Sequence, residues 1–132
     1  MAINKKTMSE FVSRNGITWT GAKETIDALF HQSRKVTKEL QEANRYEKTD
    51  DVLIESLVMC VEVRNMAFWD IKQHGTIMFV DKEEKVKQKN HSVSTFMQMN
   101  KSILDISQKL GLSARDRHDL KLEPKKLDEL DD

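Results

Sequence analysis

Residues that interrupt helices or form cross-links are scarce in this sequence. Its 132 residues include four glycines, one proline and one cysteine. The scarcity of glycine and proline predicts long, uninterrupted helices. Because Cys60 is the only cysteine, no internal disulfide can form, as is usual for proteins of a reducing cytoplasm. Aromatic residues make up 6% of the chain, which argues against a large β-sandwich.

Long apolar runs are missing as well. No stretch approaches the roughly 20 apolar residues that a membrane-spanning helix needs. The first ten residues, MAINKKTMSE, are polar and lack the apolar centre of a signal peptide. We therefore expect a cytoplasmic protein with no membrane partner.

Neither sign of charge dominates the chain. Lys and Arg together number 22, as do Asp and Glu, so the formal net charge is zero. A uniformly basic surface for nucleic acid is excluded, and any such binding would depend on local patches. The distribution of charge and apolar residues predicts three parts: a basic N-terminal segment at 1–20, a helical core and oligomerisation domain at 21–122, and an acidic tail at 123–132.

Motifs that carry catalysis are not found. The sequence contains neither GxxxxGK[ST] nor GxGxxG. Its four histidines and Cys60 show no metal-ligand spacing, and no two carboxylates pair convincingly for acid–base chemistry. We expect a protein that is not an enzyme and that holds no cofactor or metal.

Two long helices are predicted over 21–44 and 50–74. The first has an apolar seam with alternating spacings of three and four residues, which calls for a partner helix. That partner is either the next helix of the same chain, which we favour, or another subunit. The seam consists of Ile26, Leu29, Ser33, Val36, Leu40 and Ala43.

The second long helix is apolar on nearly every side, and a small domain has difficulty covering such a helix alone. This pattern predicts self-association, with an interface drawn from Ile54, Val58, Val61 and Phe68. Arg64 and Asn65 interrupt the apolar stripes. We expect both to be solvated at an edge; the alternative is pairing across a subunit interface.

The pattern of residues 76–90 predicts a small β-hairpin. A third helix is predicted at 92–110, with Ser92 as its N-cap. The fold expected is mainly α: a long helical hairpin, a third helix and the short β-hairpin, in a single domain that oligomerises. The basic hairpin strand either contacts phosphate or is a solvated edge that prevents aggregation. Its lysines are Lys85, Lys87 and Lys89.

The stretch LGLSARDR, residues 110–117, predicts the end of one helix and the start of another. Gly111 suits the left-handed position after a helix, and Leu112 can fold back on the last turn near Ile106. Ser113 and Asp116 have the spacing of a capping box. A short final helix, 114–121, would then follow.

The N-terminal segment has the outline of a helix, a glycine turn and a second helix. A short helix over 7–16, capped by Thr7 or Ser9 and ended by Gly16, is either a simple capping helix, which we favour, or the first half of a helix-turn-helix. Basic residues here are candidate contacts to DNA phosphates. They are Lys5, Lys6, Arg14 and Lys23.

Residues 89–120, KNHSVSTFMQMNKSILDISQKLGLSARDRHDL, resemble the C-terminal signature of the bacteriophage terminase small subunit family. In that family a basic segment with Asn–Pro opens a helix that ends in Leu-Gly-Leu-Ser/Thr-Pro, with an arginine close behind. The matching positions are Asn90, Leu110, Gly111, Leu112, Ser113 and Arg117, while His91 and Ala114 stand where prolines are common.

The resemblance implies a ring-forming protein that recognises viral double-stranded DNA at the packaging start. Such a protein delivers the DNA to the terminase large subunit, which holds the ATPase and nuclease, in the host cytoplasm. Arg115 and Arg117 would then be aimed at DNA or at the large subunit. Two alternatives stay open: a dimeric regulator that uses residues 7–30 as a helix-turn-helix, and a helical scaffold with no nucleic-acid role.

Overall fold

The computed structural model of the chain describes residues 4–14, 23–79, 83 and 87–123. The prediction of a mainly α fold is confirmed. Within the described residues, none of the helices is long and apolar enough to cross a membrane. The elements are α1 (Lys5–Arg14), α2 (Lys23–Glu42), a 3-10 turn (Lys48–Asp50), α3 (Asp51–His74), β1 (Ile77–Phe79), β2 (Lys87–Lys89), α4 (His91–Lys109) and α5 (Ala114–Asp119).

Helix α3 is the centre of the fold. Helix α4 lies along it in the most extensive contact between two elements, and α1 and α2 pack against it as well. The apolar seam of α2 is buried, and its helix partner is α3 of the same chain, as favoured from the sequence. Burial of α3 by three helices explains why it is apolar on nearly every side.

This burial corrects the expected subunit interface. Ile54 and Val58 are only 1% and 0% exposed. The chain's own helices enclose both side chains, so neither has surface left for a second subunit. Val61 and Phe68 are half-buried, and the Phe68 ring lies against Phe96 with centroids 5.8 Å apart.

The two short strands pair in antiparallel register, with Ile77 opposite Lys89 and Phe79 opposite Lys87. They lie within the stretch for which the sequence predicted a hairpin. The turn of that hairpin falls largely at 80–82 and 84–86, outside the described residues.

Two helices begin earlier than the sequence indicated, because an asparagine supplies each cap. Asn4 Oδ1 accepts a hydrogen bond from the Thr7 backbone N at 2.9 Å, so Asn4 takes the capping role expected of Thr7 or Ser9. Asn90 caps α4 in place of Ser92, and its Oδ1 accepts from the Ser92 N at 3.0 Å. Asparagine is among the best N-cap residues because its short side chain reaches the free amides of the first turn.

Candidate functional site

The joint after α4 has the geometry that its sequence predicts. Gly111 has a φ of 75°, in the left-handed region. Its N donates to the Gln108 carbonyl at 3.0 Å, and the Leu112 N donates to the Ser107 carbonyl at 2.9 Å. These two bonds form a Schellman motif, which satisfies carbonyls at the helix end. Leu112 is buried in the main core cluster, against which Ile106 also packs.

Helix α5 begins directly after this motif with a full capping box. Ser113 Oγ accepts from the Asp116 N at 3.1 Å, and Asp116 Oδ2 accepts from the Ser113 N at 2.8 Å. Hydrogen bonds from the Ser113 backbone and side chain hold the pKa of Asp116 below its ordinary value. The carboxylate is therefore charged throughout the physiological range and serves as a fixed anchor.

Arg45, in the loop after α2, clamps this joint from outside. Its Nη1 donates to the Gly111 carbonyl, and its Nη2 lies 3.5 Å from Asp116 Oδ2. The loop that carries Arg45 turns at Asn44, which has a φ of 56°. The planar guanidinium thus contacts both the end of α4 and the start of α5.

A second carboxylate, Glu39, faces the same position. Burial and the neighbouring Asp116 carboxyl raise the pKa of Glu39, in that order of size. Two carboxylates this close repel each other, and the Arg45 guanidinium beside Asp116 reduces that repulsion. Glu39 of α2 and Asp116 of α5 therefore form an acidic pair, with the Arg45 guanidinium beside Asp116.

The residues after α5 are fixed to α2 and α3. Gln32 Nε2 donates to the Leu120 carbonyl at 2.7 Å. Arg64 Nη1 donates to the Leu122 and Glu123 carbonyls at 3.4 and 2.5 Å. Leu120 and Leu122 are both buried in the main core cluster. We call residues 110–123, held by Gln32, Arg45 and Arg64, the pinned segment.

The position of Arg64 corrects the expectation that it is solvated. Its side chain is 2% exposed and lies inside its own chain, not across a subunit interface. Its Nε and Nη2 donate to the Asn65 side chain, and Asn65 itself is exposed. A guanidinium has five N–H donors, so it tolerates burial where several carbonyl oxygens converge. The free carbonyls that follow α5 provide that convergence.

The two arginines proposed for partner binding differ in their surroundings. Arg115 is exposed on α5. Arg117 is half-buried, and its Nη1 donates to the Leu112 carbonyl at 3.1 Å. Arg117 therefore braces the joint, while Arg115 is the one whose side chain is open to a partner.

The candidate DNA contacts lie on separate elements. Lys6 and Arg14 are exposed on α1, which is held to the core by the fully buried Met8 and Val12. Lys89 is exposed on β2. Lys85 and the side chains of Lys5, Lys23 and Lys87 lie outside the described residues.

A polar cluster that the sequence did not reveal joins the end of α3 to the start of α4. Asp70 Oδ2 accepts from Ser92 Oγ at 2.7 Å and from Asn90 Nδ2 at 3.1 Å, and its Oδ1 lies 3.0 Å from His74 Nδ1. Burial raises the pKa of Asp70, but the hydrogen bonds from these three side chains outweigh it and lower the pKa overall. Asn90 Nδ2 also donates to the Gly75 carbonyl at 2.9 Å.

The described residues offer little to bind a metal or to act as a nucleophile. Among them, no group of His, Cys, Asp and Glu could hold a metal ion. Burial raises the pKa of the Cys60 thiol to about 11, which leaves it protonated and unreactive near neutral pH. The arrangement suits holding a C-terminal segment in a fixed orientation.

Comparison with known proteins gives one match. A model of the family described as phage terminase, small subunit, matches residues 32–126. The matched region runs from the middle of α2 past the end of the pinned segment and includes Arg45, Arg64, Asp70 and Asn90. No curated protein and no solved structure matches the chain.

Proposed function

Because the chain belongs to the phage terminase small subunit family, we propose that it is the non-catalytic DNA-recognition component of a genome-packaging motor. In this role it assembles into a ring, binds viral double-stranded DNA and delivers it to the terminase large subunit in the host cytoplasm. The observation that carries the proposal is the family match over residues 32–126.

The structure supports this proposal through the unit that the match covers. The matched residues contain the α3–α4 pair and the whole pinned segment, which contribute buried residues to one core cluster. α1 and the first part of α2 precede the matched residues.

We propose that α1 supplies the principal DNA contacts and that β2 adds a second contact. Lys6 and Arg14 are exposed on α1, and the core holds this helix in place. Both cations can therefore contact DNA phosphates. Lys89 on β2 is also exposed. The formal net charge of zero makes such binding weak, and the release of counterions at each phosphate contact makes it sensitive to salt.

Fluorescence anisotropy with a labelled DNA duplex, measured over a series of salt concentrations, tests this assignment. A plot of log affinity against log salt concentration has a negative slope, and each phosphate contact that is removed makes this slope shallower by about 0.9. We expect Lys6→Ala and Arg14→Ala each to make the slope shallower by that amount, and Lys109→Ala, an exposed lysine at the end of α4, to leave it unchanged. Equal slopes for all three variants contradict the assignment to α1.

We propose that the large subunit binds at α5, with Arg115 as a contact. Arg115 is exposed and makes no described bond that holds the joint, whereas Arg117 does. A pull-down of the large subunit by the tagged chain tests this. Arg115→Ala should weaken capture with an unchanged melting temperature, and Lys121→Ala is the matched control on the same short stretch.

The two alternatives predict different results in the same experiments. A dimeric helix-turn-helix regulator gives DNA binding and a mass of two chains, without capture of the large subunit. A scaffold without a nucleic-acid role gives no salt-dependent DNA binding at all.

A further inference from the structure

Large apolar side chains are exposed on both helices of the α3–α4 pair. Trp69 on α3 is 62% exposed, and Met97 on α4 is 55% exposed. Each has a half-buried apolar neighbour on the same helix face, namely Met66 three residues before Trp69 and Leu104 seven residues after Met97. Each exposed side chain thus extends a line of half-buried apolar surface on its own helix.

The face of α3 that carries Trp69 also carries a carboxylate in an unfavourable position. Glu62, Met66 and Trp69 follow the i, i+4, i+7 pattern, which places them along one line; we call them the α3 stripe. Glu62 is half-buried, and burial raises the pKa of its carboxyl. Within the described part of the chain, no hydrogen bond or ion pair reaches this carboxylate. A cation placed here would stabilise the charged form.

The outer face of α4 carries a charge of the opposite sign, with apolar residues before and after it. Met97, Lys101 and Leu104 also follow i, i+4, i+7, and we call them the α4 stripe. Lys101 is exposed, and no described residue forms an ion pair with it. Lys101 has an apolar residue about one helical turn before it and another about one turn after it, Met97 and Leu104. Glu62 is placed in the same way between Met59 and Met66 on α3.

The two stripes cannot meet within one chain. Ile71 packs against α4 in a cluster with Val93 and Phe96. At about 100° per residue, Glu62 lies roughly 180° around α3 from Ile71, on the side away from α4. A partner with the chemistry of the α4 stripe must therefore come from another molecule.

We propose that the α3 stripe of one copy packs against the α4 stripe of a second copy, with Glu62 paired to Lys101. The evidence for this occupant is charge complementarity: Glu62 and Lys101 have opposite charges, and each has a half-buried apolar residue about one turn further along its helix, Met66 and Leu104. Because the two surfaces are different, the contact is head-to-tail, and repetition of such a contact closes into a ring when the rotation permits. The inference deepens the proposed function, since it names the surfaces that would form the ring.

Charge exchange tests the pairing. The masses of Glu62→Lys, Lys101→Glu and the double variant are measured by light scattering after size exclusion, with the full chain at tens of micromolar. We expect each single variant to weaken association at least about tenfold, because like charges then face each other, and the double variant to recover it. Glu10→Lys and Lys109→Glu, at exposed positions outside both stripes, should assemble like the unchanged protein.

Two results overturn the inference: a single-chain mass for the unchanged protein, or association that the single variants do not alter. If Glu62→Lys fails to fold by circular dichroism, Glu62→Gln replaces it, and weaker association is again expected. DNA binding by the unchanged protein is measured on the same samples. If the unchanged protein does not bind DNA, the result counts against the proposed function. If charge exchange does not alter the mass, the result counts only against this interface.

Discussion

The Arg45 guanidinium donates to the carbonyl of Gly111, a residue 66 positions later in the chain, and also contacts Asp116 in the next helix. One side chain from the loop after α2 thereby contacts both the end of α4 and the start of α5. It adds to the Schellman motif and the capping box that set the orientation of α5, and hence of Arg115.

Substitution of Gly111 by alanine should destabilise the protein for two separable reasons. A φ of 75° costs an L-residue about 1 kcal/mol, and an added Cβ would lie 3.3 Å from Arg45 Nη1. Urea denaturation of Gly111→Ala, Arg45→Ala and the double variant separates the two. We expect the double variant to lose less than the sum of the single losses, because removal of Arg45 relieves the contact. Strict additivity would show that the two residues do not interact.

Lys121→Gly should stabilise the protein. Lys121 has a φ of 58° and ends α5 in a second Schellman motif, in which the Leu122 N donates to the Arg117 carbonyl at 2.8 Å. Relief of the left-handed strain exceeds the entropy cost of glycine, for a net gain of about 0.5 kcal/mol. Lys35→Gly, the same change at an exposed position inside α2, should instead cost about 1 kcal/mol. Equal losses at the two positions would contradict the assigned geometry.

Arg64→Met should release the end of the pinned segment. Methionine keeps most of the apolar stem but leaves the Leu122 and Glu123 carbonyls without their donor. A buried and a partly buried carbonyl left without a donor cost about 3 kcal/mol together at most. Hydrogen exchange should accelerate first at the amides of Leu120 and Leu122. Uniform acceleration across α3 and α4 would instead indicate that Arg64 supports only the general core.

Asp70→Asn should lower stability at neutral pH and lose its effect in acid. The pKa of Asp70 is lower in the folded chain than in the unfolded one. Its stabilising contribution is therefore complete above the unfolded pKa and is lost as the pH falls through the lower folded value. The carboxylate is partly solvated, so we expect a loss of about 1 kcal/mol at pH 7. Thermal melting between pH 3 and 7 should show the two proteins converging below about pH 4.

Asp105→Asn is the control for that series, since Asp105 is an exposed carboxylate on α4. We expect its melting temperature to follow that of the unchanged protein at every pH. A constant gap between Asp70→Asn and the unchanged protein down to pH 3 would assign the loss to packing and not to charge.

Local chemistry made the joint at 110–117 predictable from the sequence. Gly111, Ser113 and Asp116 act through neighbours within five residues, so their spacing alone specified a helix end and a cap. Arg64 and Arg45 act through carbonyls 58 and 66 residues away. No periodicity of the sequence indicates such distant partners. The sequence pattern therefore predicts a solvated Arg64 and gives no sign of a role for Arg45.

The outward-facing part of α3 could not be predicted from the sequence for a related reason. The apolar character of α3 indicated burial but did not show whether the covering helices belong to the same chain. Ile54 and Val58 are enclosed within the chain, whereas Val52 and Trp69 on the same helix are 69% and 62% exposed. The Asp70 cluster was also missed, because Asp70 and Asn90 meet only when α3 and α4 lie side by side.

The proposed role in genome packaging is tested most directly by co-purification of the tagged chain with the terminase large subunit and a DNA duplex that contains the packaging start. We expect a ternary complex at low salt that contains several copies of the chain, with DNA released as the salt concentration rises. Arg115→Ala should retain DNA and lose the large subunit. A chain that binds neither the large subunit nor DNA at low salt, while still folded by circular dichroism, would contradict the account.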